Sequence, residues 1–237
     1  VSLSYQAITS MPTATQSLSS TAPTTSKLMM ADPPPEFLTL QEIVITARRN
    51  LSPEVWDYIV GGSDTETTVK RNRDALDRLA FRPRVLRNVE NTNCGGCLLG
   101  ENLRIPVVLS PIGSLQDLEP GGGATATKAA AEFGTAHILS SVCEPGLEAV
   151  AAAADNPKIF QLYVRGDADW VDDHVRRAIT TGYYAFCLTV DVDDYSRRER
   201  DILRRYKSTS RQSAANEEFQ QRFSWDDIKR IKDKFDI

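Results

Sequence analysis

Each of four short apolar runs in the middle of this chain ends on polar residues: 107–113, 137–141, 159–163 and 186–191. Hydroxyl, amide, phenol and carboxylate groups in such places can hydrogen-bond a flat ligand that is rich in nitrogen and oxygen. A single residue of this kind could equally cap the helix that follows it, but four successive runs favour a binding site. Its candidate residues are Ser110, Ile112, Gly113, Ser140, Ser141, Gln161, Tyr163, Thr189 and Asp191.

Histidine is the side chain most often used for proton transfer near neutral pH, and the chain has only two. His137 opens the second run and is expected at the opposite end of its strand. His174 lies beside the apolar stripe of a helix, where packing is the usual role. The glycines at 121–123 precede a helix and could bind a phosphate through free amides, although the usual phosphate site of a barrel follows strands seven and eight.

Stretches with helical patterns separate the four runs. We predict strands at 107–110, 137–140, 159–163 and 184–190, and helices at 122–133, 146–154 and 169–181. This repetition predicts an α/β fold with a parallel sheet, open or closed into a barrel. In a barrel, four strands are half of the sheet, and the carboxyl ends of all strands meet at the rim where chemistry is built.

A helical lead-in is predicted for 37–100, before the alternation begins. One of its helices starts at Ser52–Pro53, an N-cap followed by proline, and ends at Gly61–Gly62, which predict a left-handed cap. A further helix is expected at about 66–80, and a loop at 91–100. The predicted apolar face of that further helix comprises Val69, Leu76 and Leu79.

Composition and charge exclude several classes of protein. The net charge of −4 over 237 residues gives no electrostatic reason to expect nucleic acid. No apolar stretch is long enough to span a bilayer. Four cysteines are too few for a disulfide scaffold, so a reducing, cytoplasmic compartment is expected. The Ser/Thr/Pro-rich tail 1–36 has the composition of a disordered segment.

The individual cysteines and charges give weaker signals. Cys94 and Cys97 have CxxC spacing, but a zinc site usually needs a second pair, and ordinary loop cysteines are the simpler interpretation. Cys187 lies inside an apolar run and is expected to be buried. The arginine-rich segment 197–223 is expected to be solvated surface. A last helix follows, with a capping box and an apolar stripe, formed by Ser224, Asp227, Trp225, Ile228 and Ile231.

At these same residues the chain resembles the FMN-dependent α-hydroxy-acid oxidase and dehydrogenase family, which includes glycolate oxidase, lactate oxidase and mandelate dehydrogenase. The matching motifs are Tyr58-x-x-Gly61-Gly62-x-Asp64, FRPRVL at 81–86, SPIG at 110–113, LSS at 139–141, FQLYV at 160–164, LTVD at 188–191 and RRERD at 197–201. Each motif is weak alone, but together they are specific. The resemblance implies the N-terminal part of a (β/α)8 TIM barrel, strands 1–4, within a domain spanning 37–237.

The resemblance also implies roles for individual residues. The family binds FMN at the carboxyl ends of the strands, and oxidises a 2-hydroxy acid to a 2-oxo acid with oxygen or an electron carrier as acceptor. Asp191 would orient the catalytic histidine, Tyr163 would serve both catalysis and substrate binding, and homo-oligomers are possible. Substrate-binding candidates are Tyr58, Tyr163 and Arg198. Cofactor-binding candidates are Ser110, Ile112, Gly113, Ser140, Gln161 and Thr189; no metal ligand is assigned.

The chain departs from the family pattern in two ways. Gly113 stands where many small-acid oxidases have alanine, which would leave room for a bulkier substrate, and Ser196 replaces a glycine. The family's catalytic histidine, its following arginine and its phosphate-binding segments would all follow Ile237. A non-catalytic half-barrel without flavin, or one that pairs with another chain, therefore remains an alternative. A different barrel enzyme, such as an aldolase, lacks a suitably placed Schiff-base lysine here.

Overall fold

A computed structural model describes residues 37–191, 195–212, 216 and 218–237; the predicted disordered tail, 1–36, lies outside them. The helices are α1 Leu40–Asn50, α2 Pro53–Val60, α3 Thr67–Asp77, α4 Gly122–Phe133, α5 Leu147–Ala153, α6 Ala168–Thr180, α7 Glu199–Arg204, α8 Thr209–Gln212, α9 Glu218–Arg222 and α10 Trp225–Lys234. The strands are β1 Gly96–Leu98, β2 Glu101–Leu103, β3 His137–Ser140, β4 Lys158–Leu162 and β5 Ala185–Leu188. No helix among the described residues is long and apolar enough to cross a membrane.

Three of the four predicted strands form the central sheet. β3, β4 and β5 are parallel and adjacent in that order. The predicted first strand, 107–110, is reduced to one parallel bridge between Leu109 and His137. Pro106 and Pro111 flank this short run, and proline has no N–H to give to a ladder, so little of it can pair.

The sheet has one face covered by helices and one face that carries polar groups. On the covered face, the Phe160 ring lies 5.7 Å from the ring of Phe186 and 5.8 Å from that of Tyr183. On the polar face, Gln161 pairs with Ser140 on one side and with Cys187 on the other. Cys187 is exposed, so the prediction of a buried thiol is wrong; β5 is the last strand of the described sheet, and no further strand pairs with it there.

The caps of the lead-in helices are only partly as predicted. Ser52 caps α2, its side chain accepting from the Val55 N–H at 3.3 Å. The left-handed cap predicted at Gly61 is wrong, because its φ of −82° is extended. A Cβ at Gly61 would lie 2.6 Å from the Asp57 carbonyl oxygen. Glycine is therefore required there by close approach rather than by a left-handed backbone.

The region after α2 differs most from the prediction. Leu76 is 64 % and Leu79 75 % exposed, so the predicted apolar face of α3 does not pack inward. The loop predicted at 91–100 contains an antiparallel hairpin, β1–β2. Its two turn residues, Leu99 and Gly100, have φ of 49° and 92°. A two-residue hairpin turn of type I′ requires positive φ at both positions.

The arginine-rich segment is bound to the lead-in rather than merely solvated. Arg200 donates to the two carboxylate oxygens of Glu66 at 2.5 and 2.7 Å. Arg204 pairs with Asp57 at 2.7 Å. These contacts hold α7 against α2 and against the start of α3, so the two arginines do more than face solvent, although Arg204 is exposed as expected.

The last helix is capped as predicted and is anchored by a buried carboxylate. Asp227 accepts from the Ser224 N–H at 2.9 Å and from its hydroxyl at 2.8 Å. Trp225, placed by the prediction on the apolar stripe, is instead 83 % exposed. Asp172 of α6 is buried and pairs with Arg230 at 2.6 Å and Lys234 at 2.5 Å.

Replacing Asp172 tests this anchor. Burial acts to raise the pKa of Asp172, but hydrogen bonds from Lys234 and Arg230 outweigh it, so the pKa is lowered. Asp172→Asn should therefore lower the free energy of unfolding at pH 7 by about 1–3 kcal/mol. A lowered pKa contributes stability above the unfolded value, and this contribution is lost as the pH falls through the folded pKa. The deficit of the variant, measured by urea unfolding, should shrink below about pH 4.

A matched control is Asp233→Asn, which removes an exposed pair with Lys229 on the same helix. It should cost under about 0.5 kcal/mol. Equal losses in the two variants would contradict an anchoring role for Asp172.

Thiol labelling tests whether Cys187, on the polar face of the sheet, is accessible to solvent. Cys94, Cys97 and Cys187 are exposed, whereas Cys143 is buried, and burial raises the pKa of its thiol to about 11. An aromatic disulfide reagent at pH 8 should therefore modify three thiols of the native 237-residue chain and the fourth only in denaturant. Cys187→Ser should reduce the native count from three to two; an unchanged count would place Cys187 in the interior.

Candidate functional site

Four of the residues singled out by the sequence line one cavity of about 300 Å³: Tyr58, Tyr163, Asp191 and Arg198. They come from α2, the residue after β4, the segment after β5 and the residue before α7. The parallel strands and the docking of α7 on α2 together bring these distant positions to one place.

Tyr163 is a hydrogen-bond donor held at the end of β4. Its N–H donates to the Ser141 hydroxyl at 3.0 Å, which fixes the backbone just beyond the strand. Burial raises the pKa of its phenol, as do Asp191, Tyr195 and Tyr58, while Arg165 acts to lower it. The phenol therefore keeps its proton around neutral pH and can donate to an anionic or carbonyl oxygen.

Arg198 holds Tyr58 as well as lining the cavity. Its guanidinium lies 4.9 Å from the centroid of the Tyr58 ring. It donates to the carbonyl oxygens of Tyr58 and Gly61, and it pairs with buried Asp201 at 3.0 Å. Some of the N–H groups of Arg198 are thus already engaged in hydrogen bonds that hold the cavity wall together.

The predicted flavin-contacting trio Ser140, Gln161 and Thr189 lies side by side at the carboxyl ends of the strands. Ser140 is the register partner of Gln161, and the Gln161 side-chain N–H group donates to the Thr189 hydroxyl. The Gln161 Oε1 atom is buried and has no hydrogen-bond partner among the described residues. Because a buried acceptor without a donor is costly, this position suits a ligand N–H group.

The first predicted run contributes to a neighbouring cavity. Ile112 and Gly113 line a space of about 690 Å³ that shares Tyr58 and Arg198 with the first cavity. Ser110 is half-buried and is not among the residues that line either cavity. The structure therefore brings Ile112 and Gly113, but not Ser110, to these walls.

The space beside Gly113 is not empty. A Cβ on Gly113 would lie 2.8 Å from the Cγ2 atom of Val142, and Val142 lines the 300 Å³ cavity. The room expected from the absent methyl group is thus occupied by a valine methyl, which would have to turn away before a larger ligand could use it.

The two histidines lie in different surroundings. His137 is buried at the start of β3, opposite the candidate site, and burial followed by the Lys158 charge lowers its pKa to about 3. The His174 ring lies against that of Trp170, with centroids 4.0 Å apart and the ring planes tilted by 40°, which fits a packing role. It also lines a smaller cavity of about 160 Å³ beside Tyr163, a position that the sequence did not predict.

The glycine run and the cysteines do not form ion sites. The N–H groups of Gly122 and Gly123 donate to the carbonyl oxygens of Glu119 and Glu144 at 2.8 and 3.0 Å, so these two amides are already used. Across the described ranges, no group of three or more histidine, cysteine, aspartate or glutamate side chains could hold a metal ion.

Six residues that line the 300 Å³ cavity were not among the site candidates from the sequence: Val142, Arg165, Tyr195, Ser196, Ser210 and Arg211. Arg165 follows Tyr163 by two residues, and the period of an extended chain would have placed both on one side. Tyr195 and Arg211 lie in irregular or short helical segments, for which the sequence carries no such signal.

Comparisons with known proteins agree with this geometry. Residues 47–230 match the model of the FMN-dependent dehydrogenase family. Glycolate oxidase 1 of Oryza sativa subsp. indica is 34 % identical over 171 residues, covering 72 % of this chain and 46 % of the relative. Glycolate oxidase 3 of Oryza sativa subsp. japonica is 37 % identical over 160 residues, covering 68 % and 44 %. The chain thus spans about half the length of these relatives.

Solved structures give the same result. A crystal structure of mandelate oxidase has a TM-score of 0.76 and 27 % identity, covering 85 % of this chain and 61 % of that one. A mutant of a chimeric (S)-mandelate dehydrogenase has a TM-score of 0.75 and 27 % identity, covering 83 % and 62 %. These matches confirm the predicted α/β class and part of a (β/α)8 barrel. The family model, the relatives and the fold agree with the motifs, and the chain belongs to the FMN-dependent dehydrogenase family.

Proposed function

We propose that this protein oxidises a 2-hydroxy acid of (S) configuration to the 2-oxo acid with FMN as cofactor. The observation that carries the proposal is the pair of buried Gln161 and half-buried Thr189, in which the Gln161 Oε1 atom has no hydrogen-bond partner among the described residues. Gln161 precedes Tyr163 by two residues, and Thr189 precedes Asp191 by two. A flavin edge bound by the pair would thus lie next to a substrate in the cavity.

The residues present fit a flavin on chemical grounds. A flavin ring carries N–H and carbonyl groups at one edge, and the unpartnered Gln161 Oε1 and the hydroxyls of Ser140 and Thr189 can satisfy such groups. FMN, when bound, supplies the two-electron acceptor for the oxidation. The backbone at Ile112 and Gly113 would lie against the ring. Ser110, half-buried before Pro111, remains a weaker candidate.

Different cavity residues would contact different groups of the substrate. Tyr163, protonated at neutral pH, donates to the hydroxyl oxygen or the carboxylate, and Tyr58 donates from the opposite wall. Arg198 provides positive charge near the carboxylate. These contacts fix the hydrogen-bearing carbon in one orientation, which is a large part of catalysis in bimolecular reactions.

The residues lining the 300 Å³ cavity do not include a histidine. Since the chain corresponds to about half of its relatives, we assign the proton-accepting histidine to the half that it does not match. Asp191 would orient that imidazole and stabilise its protonated form, because a neighbouring carboxylate favours the cation. Asp191 is thereby a positioning residue in this proposal.

A half-barrel that works without flavin is the second candidate. It is favoured by the β5 edge, which pairs with no further strand among the described residues, and by exposed apolar residues in and after α3, since both suit association with another chain. These residues are Leu76, Leu79, Phe81, Val85, Leu86 and Val89. Purification of the 237-residue chain and of the complete reading frame separates the two candidates. We expect FMN and turnover with the complete frame and little of either with the chain alone; flavin-free protein from both would favour the half-barrel.

The remaining parts of the proposal rest on family resemblance or on the composition and pattern of the sequence. They are oxygen or an electron carrier as the acceptor, a cytoplasmic location, possible self-association, and the division into a lead-in at 37–100 and a barrel part at 101–237. Spectroscopy of flavin reoxidation under air and under nitrogen with an added dye would distinguish the acceptors.

Replacing Gln161 tests the cofactor site. In protein expressed from the complete reading frame, Gln161→Met should raise the Kd for FMN by about 5- to 30-fold, because a buried hydrogen bond to the ring is lost. Quenching of FMN fluorescence measures this. Gln212→Met, which alters an exposed glutamine bonded to the Lys207 carbonyl oxygen, is the matched control. Equal Kd values in variant and wild type, with unchanged Tm, would remove Gln161 from the site.

Replacing Tyr163 tests the substrate site. Tyr163→Phe should lower kcat/KM for the 2-hydroxy acid by about 10- to 100-fold, because a donor to a charged or developing oxygen is lost. The Kd for FMN should stay unchanged. Tyr184→Phe is the control, since that hydroxyl is buried at the opposite end of β5. A kcat/KM that falls equally in both variants would indicate a general loss of packing.

A further inference from the structure

The 300 Å³ cavity contains more positive charge than one substrate carboxylate needs. Besides Arg198, it is lined by Arg165 and Arg211, and among the described residues that line it Asp191 is the one that is acidic. Neither Arg165 nor Arg211 belongs to the motifs on which the family resemblance depends.

Arg165 and Arg211 are organised around one phenol ring. The Arg165 Nη2 group donates to the Tyr195 hydroxyl at 3.3 Å. The guanidinium of Arg211 lies over the same ring, 4.8 Å from its centroid. Tyr195 therefore holds two like charges on one side of the cavity, an arrangement that is unfavourable without a counter-ion.

The described residues neutralise these charges incompletely. Arg211 has Asp201 at 3.9 Å, but that carboxylate is closer to Arg198, at 3.0 Å. Within the part of the chain that the structure describes, no carboxylate lies within 4.0 Å of Arg165 in an ion pair. An anionic group of the ligand would complete the pairing.

Arg165 also lies where two cavities meet. Together with Tyr163 it lines both the 300 Å³ cavity and the smaller one of about 160 Å³. A ligand whose reacting end lies against Tyr163 therefore has space to extend past Arg165. The volumes are at the lower end for ligand sites, which favours a short chain.

We propose that the substrate is a short 2-hydroxy acid whose side chain ends in a second carboxylate, and that Arg165 and Arg211 bind this distal group. This assignment rests on the proposed function, since it names the substrate class of the same site. Arginine suits the role because its planar fork can make two parallel hydrogen bonds to a carboxylate. Arg165 and Arg211 would then be specificity residues, with no part in the redox step.

Two acids of equal chain length provide the test: 2-hydroxypentanedioate and 2-hydroxypentanoate. With FMN-loaded protein from the complete reading frame, we expect the dicarboxylate to have a Kd at least about tenfold lower by calorimetry, and a kcat/KM higher by a similar factor. Arg165→Met should abolish this preference, because it should weaken binding and turnover of the dicarboxylate about tenfold more than those of the monocarboxylate. Arg176→Met, which removes an exposed arginine of α6 outside the cavity, should retain the preference.

The outcomes separate this inference from the proposed function. Oxidation of both acids with equal kcat/KM and equal Kd, or an Arg165→Met effect that is the same for both acids, would overturn the dicarboxylate assignment alone. A dicarboxylate preference in binding that Arg165→Met abolishes, without oxidation of either acid, would support the anion site and overturn the proposed oxidase activity.

Discussion

The parallel register of β3, β4 and β5 is the constraint on which the site depends. It sets Gln161 beside Ser140 and within hydrogen-bond reach of Thr189. A slip of one residue would turn Gln161 toward the helices and put Phe160 in its place, since alternate residues face opposite sides. The packing of Phe160 against Phe186 and Tyr183 opposes such a slip, so an apolar contact on one face fixes polar geometry on the other.

Electrostatic contacts position the part of the cavity wall that the sheet does not carry. Ion pairs of Arg200 and Arg204 with Asp57 hold α7 against α2, and Arg198 spans the same junction to reach the Tyr58 carbonyl oxygen. Removing these pairs would leave Tyr163 in place on its strand but free the opposite wall. The cavity therefore depends both on the pairing of the barrel strands and on the ion pairs that join α7 to the lead-in.

Sequence patterns were sufficient where local physics decides the structure. β3 and the capping box at Ser224 follow from hydrophobic pattern and cap chemistry. The conformation at Gly61 was not predictable, because a close approach of backbone atoms leaves no composition signal. Cys187 and the stripe on α3 were assigned to the interior because apolar residues usually pack inward, whereas burial depends on whether a neighbouring element covers them.

The same distinction applies to the site. Gln161, Tyr163 and Asp191 were found because strand ends in a parallel sheet meet at one edge. Arg165 and Arg211 were missed, because their convergence depends on Tyr195, a tertiary contact between segments of irregular structure. The position of Arg211 could be read only from the folded chain, whereas the two-residue spacing from Tyr163 would have placed Arg165 on the same side.

The pairing of Asp57 with Arg204 joins residues separated by 147 positions in the chain. Contacts of such separation form slowly, since the entropy of closing a long loop must be overcome before they add stability. We therefore expect the sheet and its helices to fold first and the wall carrying Tyr58 to dock last. By the same reasoning this wall should detach first under mild denaturant. Ligands would then be able to enter or leave the cavity while the strands stay folded.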